Sequence, residues 1–186
     1  MGEKSPADAV RPLLRVHQVR EFTDAPVEAA QLDAIADAVR WSGSQSNSQP
    51  WRFIVIREPA TLRELSESSP PSTTSLTTAA AVVAIVLPQE KGAAVSNAYD
   101  EGRATERILI AASLLDLGAG IAWVKADDRP AVGKLLGVPE DRFVRTLVAI
   151  GHPTAKASKP KSTHGEARLP RSETVFSERW DGGQEG

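Results

Sequence analysis

The chain has 186 residues, 41% of them hydrophobic and 25% charged, enough for one globular domain with a substantial core. Its 22 basic and 24 acidic residues give a net charge of -2, which argues against a general binder of nucleic acid or membrane surface, since either needs a basic footprint. The absence of cysteine excludes a disulfide framework, thiolate catalysis and Cys-ligated metal centres.

Residues 1–12 read as a loose lead-in without the apolar run of a secretory signal. A short basic stretch from Arg15 to Phe22 follows. After Pro26, the i, i+3, i+4, i+7 spacing of Leu32, Ile35, Ala36 and Val39 predicts an amphipathic helix ending near Trp41, Ser42 and Gly43. Residues 42–50 are loop-forming Ser, Gly, Gln and Asn closed by Pro50. Phe53, Ile54, Val55 and Ile56 predict a buried strand, followed by a short helix around residues 62–66. The polar residues 66–78 offer little to pack and read as a mobile loop. Residues 79–87 form the longest apolar run, read as a second buried strand and too short to cross a bilayer as a helix. A cytoplasmic protein without membrane contact is the expectation.

Residues 98–117 predict a long helix whose stripe at Ile108, Ala111, Ala112 and Leu115 widens to nearly the whole circumference. Such a helix must be covered on all sides, by its own domain or by a second subunit. Gly118 and Gly120 read as its C-terminal caps. A short strand is expected over residues 121–125, then a helix capped by Asp127 or Asp128 with Pro130 in its first turn, ending at Gly137. Residues 143–150 read as the last core strand. A basic linker, 154–163, leads to Arg168, Leu169, Pro170 and a tail ending at Trp180. The mixture of helices and strands without a repeat makes the fold class α+β. Residues 13–153 form the domain, and 154–186 a linker and C-terminal extension.

The stretch from Ser42 to Trp51 carries the most chemical information. Ser44, Gln45, Asn47 and Gln49 offer neutral donors and acceptors suited to the carbonyl and ring-nitrogen edges of a planar polar ligand. On composition alone an ordinary helix–strand connection is the simpler reading, and it is favoured over a ligand loop. The three histidines, His17, His152 and His164, are far apart and do not form a metal-ligand pattern. Gly118-Ala119-Gly120 has Trp123 where a dinucleotide fingerprint needs its third glycine, and neither a GxSxG elbow nor a phosphate-binding GxxxxGK[ST] loop is present.

The run Asn47-Ser48-Gln49-Pro50-Trp51-Arg52-Phe53 resembles the N-x-Q-P-W-x-F signature of nitroreductase-family flavoproteins. Four further segments resemble family elements in the same order: Val19-Arg20-Glu21-Phe22 the N-terminal basic element, Gly118 to Trp123 the glycine-containing turn and strand beside the flavin, Gly151-His152-Pro153 the end of the last core strand, and Arg168-Leu169-Pro170 the C-terminal R-x-P. The likeness runs from about Leu14 to Trp180. It implies a nitroreductase-like fold, a central mixed or antiparallel sheet flanked by helices, assembled as a homodimer. It implies FMN as cofactor, NAD(P)H as reductant, and ping-pong hydride transfer to a small acceptor such as a nitroaromatic or quinone.

The resemblance also implies roles. His17, Gln18, Arg20 and Arg168 would hold the flavin phosphate, which calls for charged, fixed donors. Ser42, Ser44, Gln45, Asn47 and Gln49 belong to the loop that would reach the flavin of a two-subunit site. Gly120, Ile121, Ala122 and Trp123 would line the ring. Catalysis would need no acid–base side chain, because flavin carries the chemistry. One departure is visible: Val16-His17-Gln18 stands where relatives commonly carry Arg-Arg-Ser. Either phosphate affinity falls, or Arg15 and Arg171 compensate.

That departure keeps a second class open, a non-catalytic flavin or small-ligand binding protein on the same fold. Flavin-destroying or dehalogenating relatives usually carry a lid; the shortness of residues 66–78 favours an open, promiscuous pocket instead. Asp100, Glu101, Arg103, Glu106 and Arg107 read most simply as a solvated ion-pair face, with a dimer interface as the alternative. Lys156, Lys159 and Lys161 read as a charged linker.

Overall fold

A computed structural model describes residues 5–159 and 169–180. The lead-in is not loose coil: Pro6–Val10 (α1) is helical, with the Ser5 hydroxyl accepting the Asp8 amide, and a 3₁₀ turn follows at Arg11–Arg15. None of these residues is buried, so the lead-in is ordered locally but outside the core. Ala29–Arg40 (α2) is the amphipathic helix expected, burying Leu32, Ile35 and Val39. It starts on a capping box in which Gln31 Oε1 accepts the Glu28 amide.

Arg52–Ile56 (β1) leads into Pro59–Glu67 (α3), which buries Leu62, Leu65 and Ser66. Ala81–Pro88 (β2) precedes the long helix Ala94–Leu114 (α4). Gly118–Trp123 (β3), Arg129–Leu135 (α5), Arg142–Gly151 (β4) and the short Arg171–Thr174 (α6) complete the chain.

The sheet order is β1-β2-β4-β3, antiparallel at every strand pair. The side chains of β2 alternate between two cores: Val83, Ile85 and Leu87 face α2 and α4, while Val82, Ala84 and Val86 face α3 and α5. Helices on both faces explain why β2 is apolar at nearly every position. β1 is an edge strand among the described residues and not the buried strand expected; Val55 is 39% exposed, because β2 is the one described strand that pairs with it. No helix among the described residues is long and apolar enough to cross a membrane.

Two further expectations are corrected. Residues 66–78 are packed, with Ser69, Thr73 and Leu76 buried. Hydroxyls replace apolar groups there: Thr73 Oγ1 donates to Ser66 O at 2.9 Å and accepts the Ser69 amide, and Ser69 Oγ donates to Asp128 at 2.6 Å. Asp128 is therefore the N-cap residue of α5 by position only, its side chain being directed to Ser69. Gly118 and Gly120 lie within β3 and do not cap α4. The helix closes at Leu115, with Asp116 in the left-handed region at φ 57°. The glycines are needed for another reason. Val19 crosses directly over them, its amide donating to Ala119 O at 2.8 Å, and a Cβ at Gly120 would collide with the Val19 carbonyl oxygen.

Candidate functional site

The residues singled out in the sequence fall into two groups. The first is built on β3. Residues 16–20 run beside this edge strand through a parallel bridge between Gln18 and Ala119. Gln18 Oε1 accepts the Ile121 amide at 3.4 Å and an Arg20 Nη2 hydrogen at 3.5 Å. Gly120 brings Arg20 alongside, with Cγ 3.7 Å from a Cβ position built on the glycine. Gln18, Arg20 and Ile121 therefore adjoin one another, with Gly120 buried beneath Val19 and Arg20. Trp123, at the end of the same strand, is 46% exposed, with the Arg145 guanidinium 5.4 Å from its ring centroid. Ala122 is fully buried on the opposite face, so only its backbone can face a ligand.

His17 belongs to this segment but is committed elsewhere. Its Nδ1 lies 2.9 Å from Arg15 O and its Nε2 3.4 Å from Ala157 O. The ring ties the N-terminal segment to the turn after β4. Arg168 lies outside the described residues, as does Lys161.

The second group is the loop before β1. It folds back through three left-handed residues, Ser46 at φ 50°, Asn47 at φ 54° and Gln49 at φ 48°. Non-glycine residues in that region are uncommon and each costs about 1–3 kcal/mol, so the surroundings must enforce them. Inside the loop, Ser44 Oγ accepts the Gln49 amide at 2.9 Å, and Gln49 Nε2 donates to Asn47 Oδ1 at 3.3 Å. From outside, Asp100 on α4 accepts the Gln45 amide at 3.1 Å. Arg103 pairs with Asp100 at 3.7 Å and presses on Gly43, where any Cβ would meet its guanidinium. Gln45, Asn47 and Gln49 stay exposed, while Ser42 is buried and its Oγ has no hydrogen-bond partner among the described residues.

Arg103, Glu106 and Arg107 are exposed as a solvated face requires, but Asp100 and Glu101 correct that reading. Asp100 and Glu101 are each 3% exposed. Asp100 clamps the loop, and Glu101 bonds Arg145 on β4, with Nε to Oε2 at 2.7 Å. Sequence reasoning missed both roles because the partners are more than 40 residues away; the local i,i+3 pairing of Asp100 with Arg103 was the visible signal and pointed to solvent.

No hydrogen bond among the described residues joins the two groups. The loop enters β1, and the 16–20 segment lies beside β3, at the opposite edge of the sheet.

The model of the Nitroreductase family matches residues 17–152, which includes both groups. A protein of Archaeoglobus fulgidus, named provisionally as an NADH dehydrogenase/NAD(P)H nitroreductase, is 31% identical over 140 residues, covering 73% of this chain and 79% of its own length. The solved FMN-dependent nitroreductase of Clostridium difficile R20291 gives a TM-score of 0.77 at 22% identity, over 89% of this chain and 97% of that one. A protein of Desulfovibrio desulfuricans, provisionally termed a nitroreductase and solved in complex with FMN, also gives 0.77 at 22% identity, over 96% of this chain and 99% of that one. With a family match across most of its length and the expected α+β architecture, the chain belongs to the nitroreductase family.

Proposed function

We propose that this protein is an FMN-dependent oxidoreductase that works as a homodimer, passing hydride equivalents from NAD(P)H to a small electrophilic acceptor such as a nitroaromatic or a quinone. The observation that carries the reading is the ledge on β3, where glycine, neutral amides and one cation are zipped together by Gln18. The donor set fits a flavin. Gln18, Asn47 and Gln49 offer uncharged donors and acceptors for the ring edge, Arg20 supplies a cation for the phosphate, and the Ile121 and Trp123 side chains offer apolar surface. FMN held by these residues would supply the two-electron chemistry of hydride transfer between nicotinamide and acceptor.

The chain's own residues position and enclose. Arg20 and the C-terminal Arg168 hold the phosphate end. His17 fixes the segment that carries Gln18 and Arg20. The loop from Ser42 to Gln49 reaches the site of the second subunit, and residues 154–186 complete that site and the dimer. Two observations support two copies. Loop and ledge sit at opposite sheet edges, about 14 Å apart by strand spacing alone. One face of α4 is uncovered, with Val95 72%, Tyr99 74% and Leu114 66% exposed.

The visible spectrum of the purified protein, followed anaerobically on addition of NADPH and then NADH, tests the proposal. A flavin band that bleaches supports it. A yellow protein that neither nucleotide bleaches is a binding module, and colourless material that refuses added FMN overturns the reading.

A further inference from the structure

A cavity of about 760 Å³ opens where the first turns of α4, helix α5 and the start of β4 meet. None of the described residues assigned to the flavin lines it. Its walls carry four cations, Arg129, Lys134, Arg142 and Arg145, against two carboxylates, Glu90 and Glu140.

The arginines are arranged unusually for a chain of net negative charge. Arg129 and Arg145 approach the same ring, with guanidinium carbons 5.2 and 5.8 Å from the centroid of Phe143. Two cations on one ring repel each other. Arg145 is matched by Glu101. Arg129 and Arg142 have no carboxylate within ion-pair distance among the described residues. Each makes one bond to backbone on this side, Arg129 Nε to Val124 O and Arg142 Nη1 to Pro50 O, both at 3.3 Å, which leaves most of each fork unclaimed. Burial, and after it the charge of Arg145, holds the Arg129 guanidinium below its ordinary value, with Glu101 opposing. Asn97 also lines the cavity; it is 7% exposed and its Nδ2 has no partner among the described residues. Partly buried guanidiniums without counter-charge call for an anion from outside the chain.

We propose that this cavity binds the oxyanion of a small organic molecule, a carboxylate or a phosphate held by the Arg129 and Arg142 forks with the Phe143 ring as its apolar wall. Planar forks match either group in bidentate fashion. The inference goes beyond the flavin reading and stands without it, since one chain forms the whole cavity.

Calorimetric titration with two probes, inorganic phosphate and benzoate, tests this. The titration is run on the protein as purified and again with saturating FMN. At least one probe binds saturably, once per chain, with the same affinity in both runs. Uptake of phosphate alone identifies a phosphoryl ligand, and uptake of benzoate alone a carboxylate. Arg129→Gln and Arg142→Gln each weaken binding by about ten- to a hundredfold, the worth of a charged hydrogen bond. Arg129→Lys retains more affinity than Arg129→Gln, and Arg40→Gln, at an exposed helix cation outside the cavity lining, leaves it unchanged. Should Arg129→Gln not fold, Arg142→Gln decides alone, because its strand end is partly exposed. Binding of neither probe, binding indifferent to both arginines, or binding abolished by FMN overturns the inference. A colourless protein that takes up phosphate through Arg129 keeps this site and removes the flavin.

Discussion

Replacing Gly120 with alanine places a methyl group against the Val19 carbonyl, which is backbone and cannot rotate away. The segment 16–20 must lift from β3. Overpacking of this kind costs about 1–3 kcal/mol. Loss of the hydrogen bond from the Val19 amide to Ala119 O adds about 1 kcal/mol. Alanine returns about 0.5–1 kcal/mol by restricting the unfolded chain. The balance is a destabilisation of about 2 kcal/mol, which for a domain of this size lowers Tm by about 4–8 °C. The same movement separates Gln18 from the Ile121 amide, so FMN affinity falls by about tenfold if one positioning contact is lost. Gly133→Ala is the control of opposite sign. It sits within α5, where a Cβ meets Val138 at an ordinary 3.9 Å, and alanine is favoured over glycine by about 1 kcal/mol. Calorimetric melting and a fluorescence titration with FMN read both variants. A Gly120→Ala protein that melts with the wild type and binds FMN equally well would refute the close crossing of Val19 and the ledge built on it.

Arg168→Ala weakens FMN binding in the same titration, and unchanged retention removes Arg168 from the site. Glu101→Leu strands the Arg145 guanidinium in a setting where its side chain is 18% exposed, and costs about 3–5 kcal/mol in denaturant unfolding. The double variant Glu101→Leu/Arg145→Met recovers most of that loss, because two apolar groups of similar size replace the pair; a double variant no more stable than the single one would mean that the ion pair is not what the leucine breaks.

The parts of the fold visible in the sequence are those decided by neighbours a few residues away. The spacing of Leu32, Ile35 and Val39 specifies α2, and the runs at 81–88 and 142–151 are strands because both their faces are covered. The loop signature was legible as a motif, but its clamp was not, since Asp100 and Gln45 meet across 55 residues. Gly118 and Gly120 looked like helix stops because glycine after an apolar helix commonly is one. Their actual constraint, Val19, lies about a hundred positions earlier and leaves no local mark. Residues 66–78 looked empty because hydroxyls contribute nothing to an apolar pattern, although Ser69, Thr73 and Asp128 satisfy one another in the interior.

The division of the candidate site between two sheet edges has a consequence that a single-chain site does not share. If each flavin touches the ledge of one chain and the loop of its partner, the two elements complement each other between chains. Take one chain carrying Arg20→Ala and another carrying Asn47→Ala, both weak in FMN binding as homodimers. In a mixed dimer, one site joins both damaged elements and the other joins both intact ones. Random reassociation of an equal mixture makes half of all dimers mixed, so about a quarter of the sites regain wild-type composition. Partial unfolding and refolding of the mixture should therefore restore about a quarter of the wild-type FMN-binding capacity, measured by equilibrium dialysis. Co-incubation without subunit exchange should restore none. If loop and ledge serve a flavin within one chain, every chain keeps its own defect and exchange restores nothing, and the two-subunit site fails whatever the oligomeric state proves to be.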